Sequence, residues 1–213
     1  MFNISIVSFF ERLFFKPNIL DWVLISLLSP ISILFGLFML LRRVLSIQKN
    51  YAIPIVSIGN LTVGGSGKTP FVIHLASKYS DASVISRGYG RESRGLIEVS
   101  SRGKILTDVF KSGDEPMLMA KSLPNASVIV SEDREMAINL AIEQGAKVIF
   151  LDDGFNRVNI KKFDILLFPQ TIKNFMPFPV GPFREFIFTK LFADLNIIEN
   201  SDFKRVVTIQ NPT

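Results

Sequence analysis

Gly64, Gly65, Ser66, Gly67, Lys68 and Thr69 stand in a row, and a glycine turn that runs into Lys-Thr has the makings of a phosphate cradle. Glycines let successive backbone N–H groups converge on phosphate oxygens with no Cβ in the way, and the first turn of a following helix adds its partial positive charge. In such a loop Lys68 reaches the β- and γ-phosphates of a nucleoside triphosphate, and Thr69 offers its hydroxyl to Mg²⁺. The pattern G-x-x-x-x-G-K-[ST] asks for glycine at position 62, where this chain has Thr62, followed by Val63. That departure falls at the least discriminating position, so residues 62–69 are read together as the nucleotide-binding loop. A glycine-rich turn that merely starts a helix is the competing reading.

Two pairs of carboxylates complete the candidate chemistry. VIFLDD ends an apolar run in Asp152 and Asp153, the pattern of a strand that delivers a carboxylate to Mg²⁺ opposite a phosphate loop; its bland alternative is a solvated turn. In SGDEPMLMA, Asp114 and Glu115 precede Pro116 at an expected helix start, where carboxylates also serve as caps and dipole partners. Phosphoryl transfer to a hydroxyl needs the acceptor oriented and deprotonated, and Asp114 is the best candidate for that role, with Lys68 as its catalytic companion. Thr69, Asp152 and Asp153 are candidate metal ligands. His74, the only histidine, sits in FVIHLA and reads as a packed helical residue. Arg87, Arg91 and Arg184 are either phosphate clamps or solvated charges. Phe175, Phe178, Phe183, Phe186 and Phe188 read as core rather than as an acyl-chain path.

These groups need elements to hold them. IPIVSI (53–58) is a strand-like run before the loop, and Pro70 to Ser80 reads as the helix after it, with proline in its first turn. ASVIS, a hairpin in LIEVSSRGKILTDV, a helix over EPMLMAKSL, a strand at ASVIV, a helix over DREMAINLAIE and a strand at KVIFL follow in order. RVVTI, near the end, reads as a further strand. The alternation predicts an α/β fold, a P-loop NTPase-like, mostly parallel sheet with helices on both faces and ligands at the carboxyl ends of the strands. Residues 51–213 are assigned to this core and residues 1–50 to a membrane-associated helical segment.

Composition narrows the setting. The 213 residues carry a net charge of +5, no cysteine and 20 phenylalanines, with a mean hydropathy of +0.34. Cysteine chemistry is thereby excluded, and without a basic tract or RNA-binding signature the positive charge fits anionic lipid or a phosphorylated substrate better than nucleic acid. Trp22 to Leu41 is an uncharged stretch of 20 residues, long enough to cross a bilayer core of about 30 Å, and Arg42, Arg43 and Lys49 follow on what is then the cytoplasmic side. A span or deep insertion is the favoured expectation, with an interfacial helix or a buried soluble helix as alternatives.

Taken in order, IPIVSIGNLTVGGSGKTP, SRGYGR, GDEPMLMA, VIFLDDGFNR and PVGPFRE closely resemble the tetraacyldisaccharide 4′-kinase family of lipid A biosynthesis, from the apolar N-terminus to about Asp194. The resemblance implies transfer of the ATP γ-phosphate to the 4′-hydroxyl of an acylated glucosamine disaccharide 1-phosphate at the inner membrane, with the catalytic part facing the cytoplasm. It also implies that Lys68 and Thr69 hold phosphates and Mg²⁺, that Asp114 activates the acceptor, and that Glu115, Asp152 and Asp153 lie near the metal. The family commonly reads DDGFQH where this chain has Asp152, Asp153, Gly154, Phe155, Asn156 and Arg157, and it continues past this chain's length into a histidine-bearing region. A shortened form is therefore expected, with a binding protein of impaired catalysis as the alternative reading. A membrane-associated P-loop switch ATPase is disfavoured, because Val63 stands where that class has a signature lysine.

Overall fold

The computed structural model describes residues 4–64, 67–169, 172–198 and 201–202. The RVVTI segment lies outside them. The chain packs as two compact units: Ser46–Asn60 with Gly67–Ile165, and Met1–Leu45 with Leu61–Ser66 and Leu166–Thr213. Packing thus groups the N-terminal helices with a distant stretch of chain.

In the first of these units the strands are β1 (Ile55–Gly59), β2 (Ala82–Ser86), β3 (Ile97–Ser101), β4 (Lys104–Ile105), β5 (Ser127–Val130) and β6 (Val148–Asp152), in the order β4-β3-β5-β2-β6-β1. β5-β2-β6-β1 are parallel, and β3 joins antiparallel as one arm of a hairpin with β4. β7 (Phe163–Phe168), whose residues divide between the two units, lies next to β1, and β8 (Leu195–Ile198) lies next to β7. VIFLD and SVIV are buried at every position, as parallel strands covered on both faces must be.

Helices α3 (Lys68–Ala76), α4 (Val109–Ser112), α5 (Asp114–Ser122) and α6 (Arg134–Glu143) connect these strands. Ala137, Ile138 and Ala141 of α6 pack against Ile149 and Leu151, while Phe150 between them points to the other face and meets Tyr79, just beyond α3. Helical segments therefore cover both faces, as expected from the alternation. Asp133 caps α6, its side chain accepting from the N–H groups of Glu135 and Met136. α3 begins two residues before Pro70 and ends at Ala76; a proline in the first turn needs no N–H partner, so the helix starts ahead of it.

In the other unit α1 (Ile4–Phe15) and α2 (Ile19–Val44) are joined by a capping box, in which Asn18 accepts from the Asp21 N–H and Asp21 accepts from the Asn18 N–H. Arg12 then clamps Asp21 through two bonds of 2.9 and 3.1 Å. Leu13, Phe14, Ile25 and Val180 form the unit's apolar core, and Asn174 ties it together by donating to the carbonyls of Leu13 and Val180 at 3.1 and 2.8 Å. α2 runs without a break through Pro30.

Candidate active site

The loop's two ends are held differently. Gly67 is the N-cap of α3 with φ +71°, a left-handed conformation that costs a side chain and suits glycine. Lys68 is the first residue of α3; its Nζ donates to Asn60 Oδ1 at 3.2 Å and lies 3.8 Å from Asp153 Oδ1. Thr69 follows, partly exposed, in the same turn. At the other end Thr62 bridges Phe183, the Val63 N–H donates to the Pro182 carbonyl at 2.8 Å, and the Arg184 N–H donates to the Leu61 carbonyl at 2.8 Å. Gly64 adopts φ +100°. Gly65 and Ser66 lie outside the described residues.

Asp152 ends β6 as a buried carboxylate. Its Oδ2 accepts from Ser86 Oγ at 3.0 Å, and its Oδ1 has no hydrogen-bond partner. Burial, opposed by the Ser86 bond and reinforced by the negative charges of Asp153 and Glu115, pushes its pKa up to about 6. Asp153 follows with φ +53°, a conformation that aspartate tolerates better than most residues, and its N–H donates to the Ile58 carbonyl at 2.9 Å. The turn is fixed by close packing at Gly154, where a Cβ would stand 2.7 Å from Leu151 Cβ and 2.8 Å from Ser57 Oγ. Gly154→Ala must move one of these groups, and a loss of about 2 kcal/mol in urea-denaturation stability is expected, together with a displaced Asp153.

Asp114 and Glu115 occupy the first turn of α5, both exposed, behind Gly113 as N-cap. Neither is the N-cap residue. α3 packs against α5, and Glu115 is close enough to Asp152 to bear on its ionisation. Lys68, Glu115, Asp152 and Asp153 therefore belong to one electrostatic neighbourhood at the carboxyl ends of the parallel strands, beside the helix that Asp114 opens. Among the described residues no group of three or more His, Cys, Asp or Glu forms a ready metal site. A P-loop metal site does not require one, since a hydroxyl, one or two carboxylates, phosphate oxygens and water supply the ligands.

Arg134 is the residue that sequence reasoning passes over. It follows the Asp133 cap and looks like an ordinary helix-start charge, yet it is buried, and its guanidinium donates to the carbonyls of Ser86 at 3.0 Å, Ser131, and Asp152 at 3.5 Å. One side chain thus ties together the ends of β2, β5 and β6. Burial, aided by repulsion from Arg157, lowers its pKa to about 10. Arg134→Met removes the donor that links these three carbonyls, and a loss of about 2 kcal/mol in chemical-denaturation stability is expected.

The remaining candidates fall on either side of the line. Arg91 donates to Glu132 Oε1 and to the Gly95 carbonyl, both at 2.6 Å, so it fastens its own loop, while Arg87 is exposed. His74 is exposed on α3 rather than packed, because Val72 and Ala76 supply the buried face. Phe183 is core, as expected, whereas Phe175, Phe178 and Phe188 keep about half their surface exposed. A cavity of about 580 Å³ in the unit that holds α1 is lined by Arg12, Lys16 and Phe15 of that region and by Thr62, Val63 and Gly64 of the loop.

The family model described as Tetraacyldisaccharide-1-P 4'-kinase matches residues 24–211. The chain belongs to this family. Among relatives of the 4'-kinase family, the tetraacyldisaccharide 4'-kinase of Helicobacter pylori (strain ATCC 700392 / 26695) is 44% identical over 207 residues, covering 96% of this chain and 66% of that protein. That of Aliarcobacter butzleri (strain RM4018) is 48% identical over 205 residues, 94% of this chain and 64% of that protein. The crystal structure of the "apo" form of LpxK from Aquifex aeolicus, in complex with ATP, superposes with a TM-score of 0.77 at 36% identity over 86% of this chain and 62% of that one. The chain thus spans just under two thirds of the length of its 4'-kinase relatives.

Proposed function

We propose that this chain is a lipid kinase that transfers the γ-phosphate of ATP to the 4′-hydroxyl of an acylated glucosamine disaccharide 1-phosphate. The observation that carries the reading is Asp152 Oδ1, a buried carboxylate oxygen with no partner, in the same electrostatic neighbourhood as the α3 lysine. A hard oxygen donor kept unsatisfied beside a phosphate loop fits Mg²⁺. Lys68 and the amides of residues 62–69 would hold the nucleotide phosphates, and Thr69, Asp152, Asp153 and Glu115 would hold the metal, which neutralises phosphate charge when bound. Asp114, exposed at the start of α5, orients the acceptor hydroxyl and takes its proton. Lys16 would offer the loop-side cavity a cation for an anionic sugar headgroup, beside Arg12, whose charge is matched by Asp21, and Glu11, which is acidic. Residues 51–213 form the kinase core and residues 1–50 the membrane-associated helical segment, with α2 at the inner membrane and the catalytic part facing the cytoplasm.

The test is transfer of radiolabelled γ-phosphate from Mg-ATP to tetraacyldisaccharide 1-phosphate in mixed micelles, with Lys68→Ala as control. Labelled lipid that is absent from the control is the expected result. Bound ATP with no lipid product would replace the kinase by a binding protein.

A further inference from the structure

We propose that the 3-10 turn Ile187–Phe192 is a second membrane-inserting element, and that α2 lies along the lipid surface beside it instead of crossing the bilayer. The proposal rests on the membrane reading of α2 given above. α2 has the length of a transmembrane helix, 26 residues, and an 18-residue stretch within it reaches a mean hydropathy of 2.4. Its packing forbids that use. Ile25 is buried against Leu13, Phe14 and Val180; Ser32 Oγ accepts from the Val180 N–H at 3.4 Å; Phe35 meets Phe178 at 5.8 Å between centroids. Further along, Gly36 backs onto the ring of Phe186, and Arg43 grips Glu185 through two bonds of 2.8 and 2.9 Å with both side chains buried.

From Ile25 to Arg43 is about 27 Å of helix, close to the full depth of a hydrocarbon core. A crossing α2 would drag the irregular chain of residues 174–186 and a buried carboxylate through that depth, where each unsatisfied backbone group costs several kcal/mol. One side of α2 is therefore committed to protein, and only the other is left for lipid. That side, with Leu34, Phe38, Leu41 and Val44 exposed, belongs to an in-plane helix.

The turn extends the same apolar surface. Phe188, Leu191 and Phe192 are 46, 79 and 51% exposed. Phe188 stacks on Phe186 at 5.1 Å, and the Arg43 guanidinium stands 5.9 Å from the Phe192 ring centre, so the turn is seated against the C-terminal half of α2. Arg42 and Lys190, both exposed, supply cations beside this apolar patch. Apolar rings flanked by positive charge, continuous with an apolar helix, fit the headgroup boundary of an anionic bilayer better than a protein partner.

Trp22, exposed on α2, is the only tryptophan, so fluorescence can report on one chosen position at a time. The full chain carrying Trp22→Phe with Leu191→Trp, or with Phe188→Trp as a second reporter, is bound to phosphatidylethanolamine/phosphatidylglycerol vesicles whose acyl chains are brominated near the headgroup or near the bilayer centre. Trp22→Phe with Leu34→Trp reports on the middle of α2, and the unsubstituted chain reports on Trp22. Roughly twofold quenching by shallow bromine at positions 188, 191 and 34, exceeding that by deep bromine, is expected. Strongest quenching of position 34 by deep bromine would mean a crossing helix and overturn the proposal. Quenching of Trp22 without quenching at 188 and 191 would overturn the second element and leave the membrane reading of α2 intact. No quenching at any position would sink both.

Discussion

Lys68→Ala is expected to lower kcat/KM for phosphoryl transfer by about 10³-fold or more, equivalent to about 4 kcal/mol of transition-state stabilisation. The lysine opens α3, and its Nζ lies within reach of Asn60 and Asp153, so its charge is directed toward the strand ends where Asp152 also stands. The same position makes the residue dispensable for folding. A cation at a helix N-terminus opposes the macrodipole, and alanine is the better helix former, so thermal stability should hold or rise slightly while activity disappears. Lys68→Arg should not restore the rate, because a planar fork cannot replace a compact ammonium ion inside a tight backbone loop. Initial rates and a melting curve on the same preparations check both halves; a variant that loses stability along with activity would mean that Lys68 is structural.

Asp152→Asn is expected to stabilise the protein and disable it together. The folded carboxyl titrates near 6 against an ordinary value of 3.8, so the folded state holds its proton more tightly than the unfolded one. Below about pH 4 both states are protonated and the group contributes nothing to the difference. As pH rises from about 4 to about 6 the unfolded chain ionises first and stability falls; above about 6 the whole penalty, about 3 kcal/mol, is present. Asparagine carries no such penalty. Its advantage should therefore grow from zero near pH 4 to about 3 kcal/mol at neutral pH, measured by urea denaturation without nucleotide and in the presence of a chelator. Phosphoryl transfer should fall on the order of 10²-fold or more, because a neutral amide cannot balance the metal's charge. A functional carboxylate held against its own stability is the expected trade at such a site.

What could be read from the sequence was what depends on near neighbours. IPIVSI and VIFLDD announce themselves because strands buried on both faces need unbroken apolar runs, and the loop between Thr62 and Thr69 is legible because phosphate binding constrains consecutive residues. Asp133 as a cap and the hairpin at Arg102-Gly103 are equally local. Arg134 and Glu185 are the opposite case. Each is a charged residue beside a more conspicuous one, and only the partners brought up by the fold, the ends of three strands for Arg134 and Arg43 for Glu185, reveal that it is buried. The long apolar run at 22–41 gave length and composition but not which side of the helix meets protein, since Ser32, Gly36 and Arg43 acquire that meaning only from residues 178–192. His74 misled for the same reason: its apolar neighbours are real, but they face the other way.

The Arg43–Glu185 pair joins residues 142 positions apart. During translation at about 5–20 residues per second, Arg43 is made roughly 7–30 s before Glu185 exists. For that interval only α1 covers the helix, around Ile25, and the rest of its apolar surface has no cover within its own chain. The nascent protein would reach the bilayer as a half-made body, and the polypeptide that later covers one side of α2 would be laid onto a helix already resting in lipid. The buried ion pair then closes at the membrane, and a chain released into water would have to survive the same interval with its most apolar surface open to aggregation.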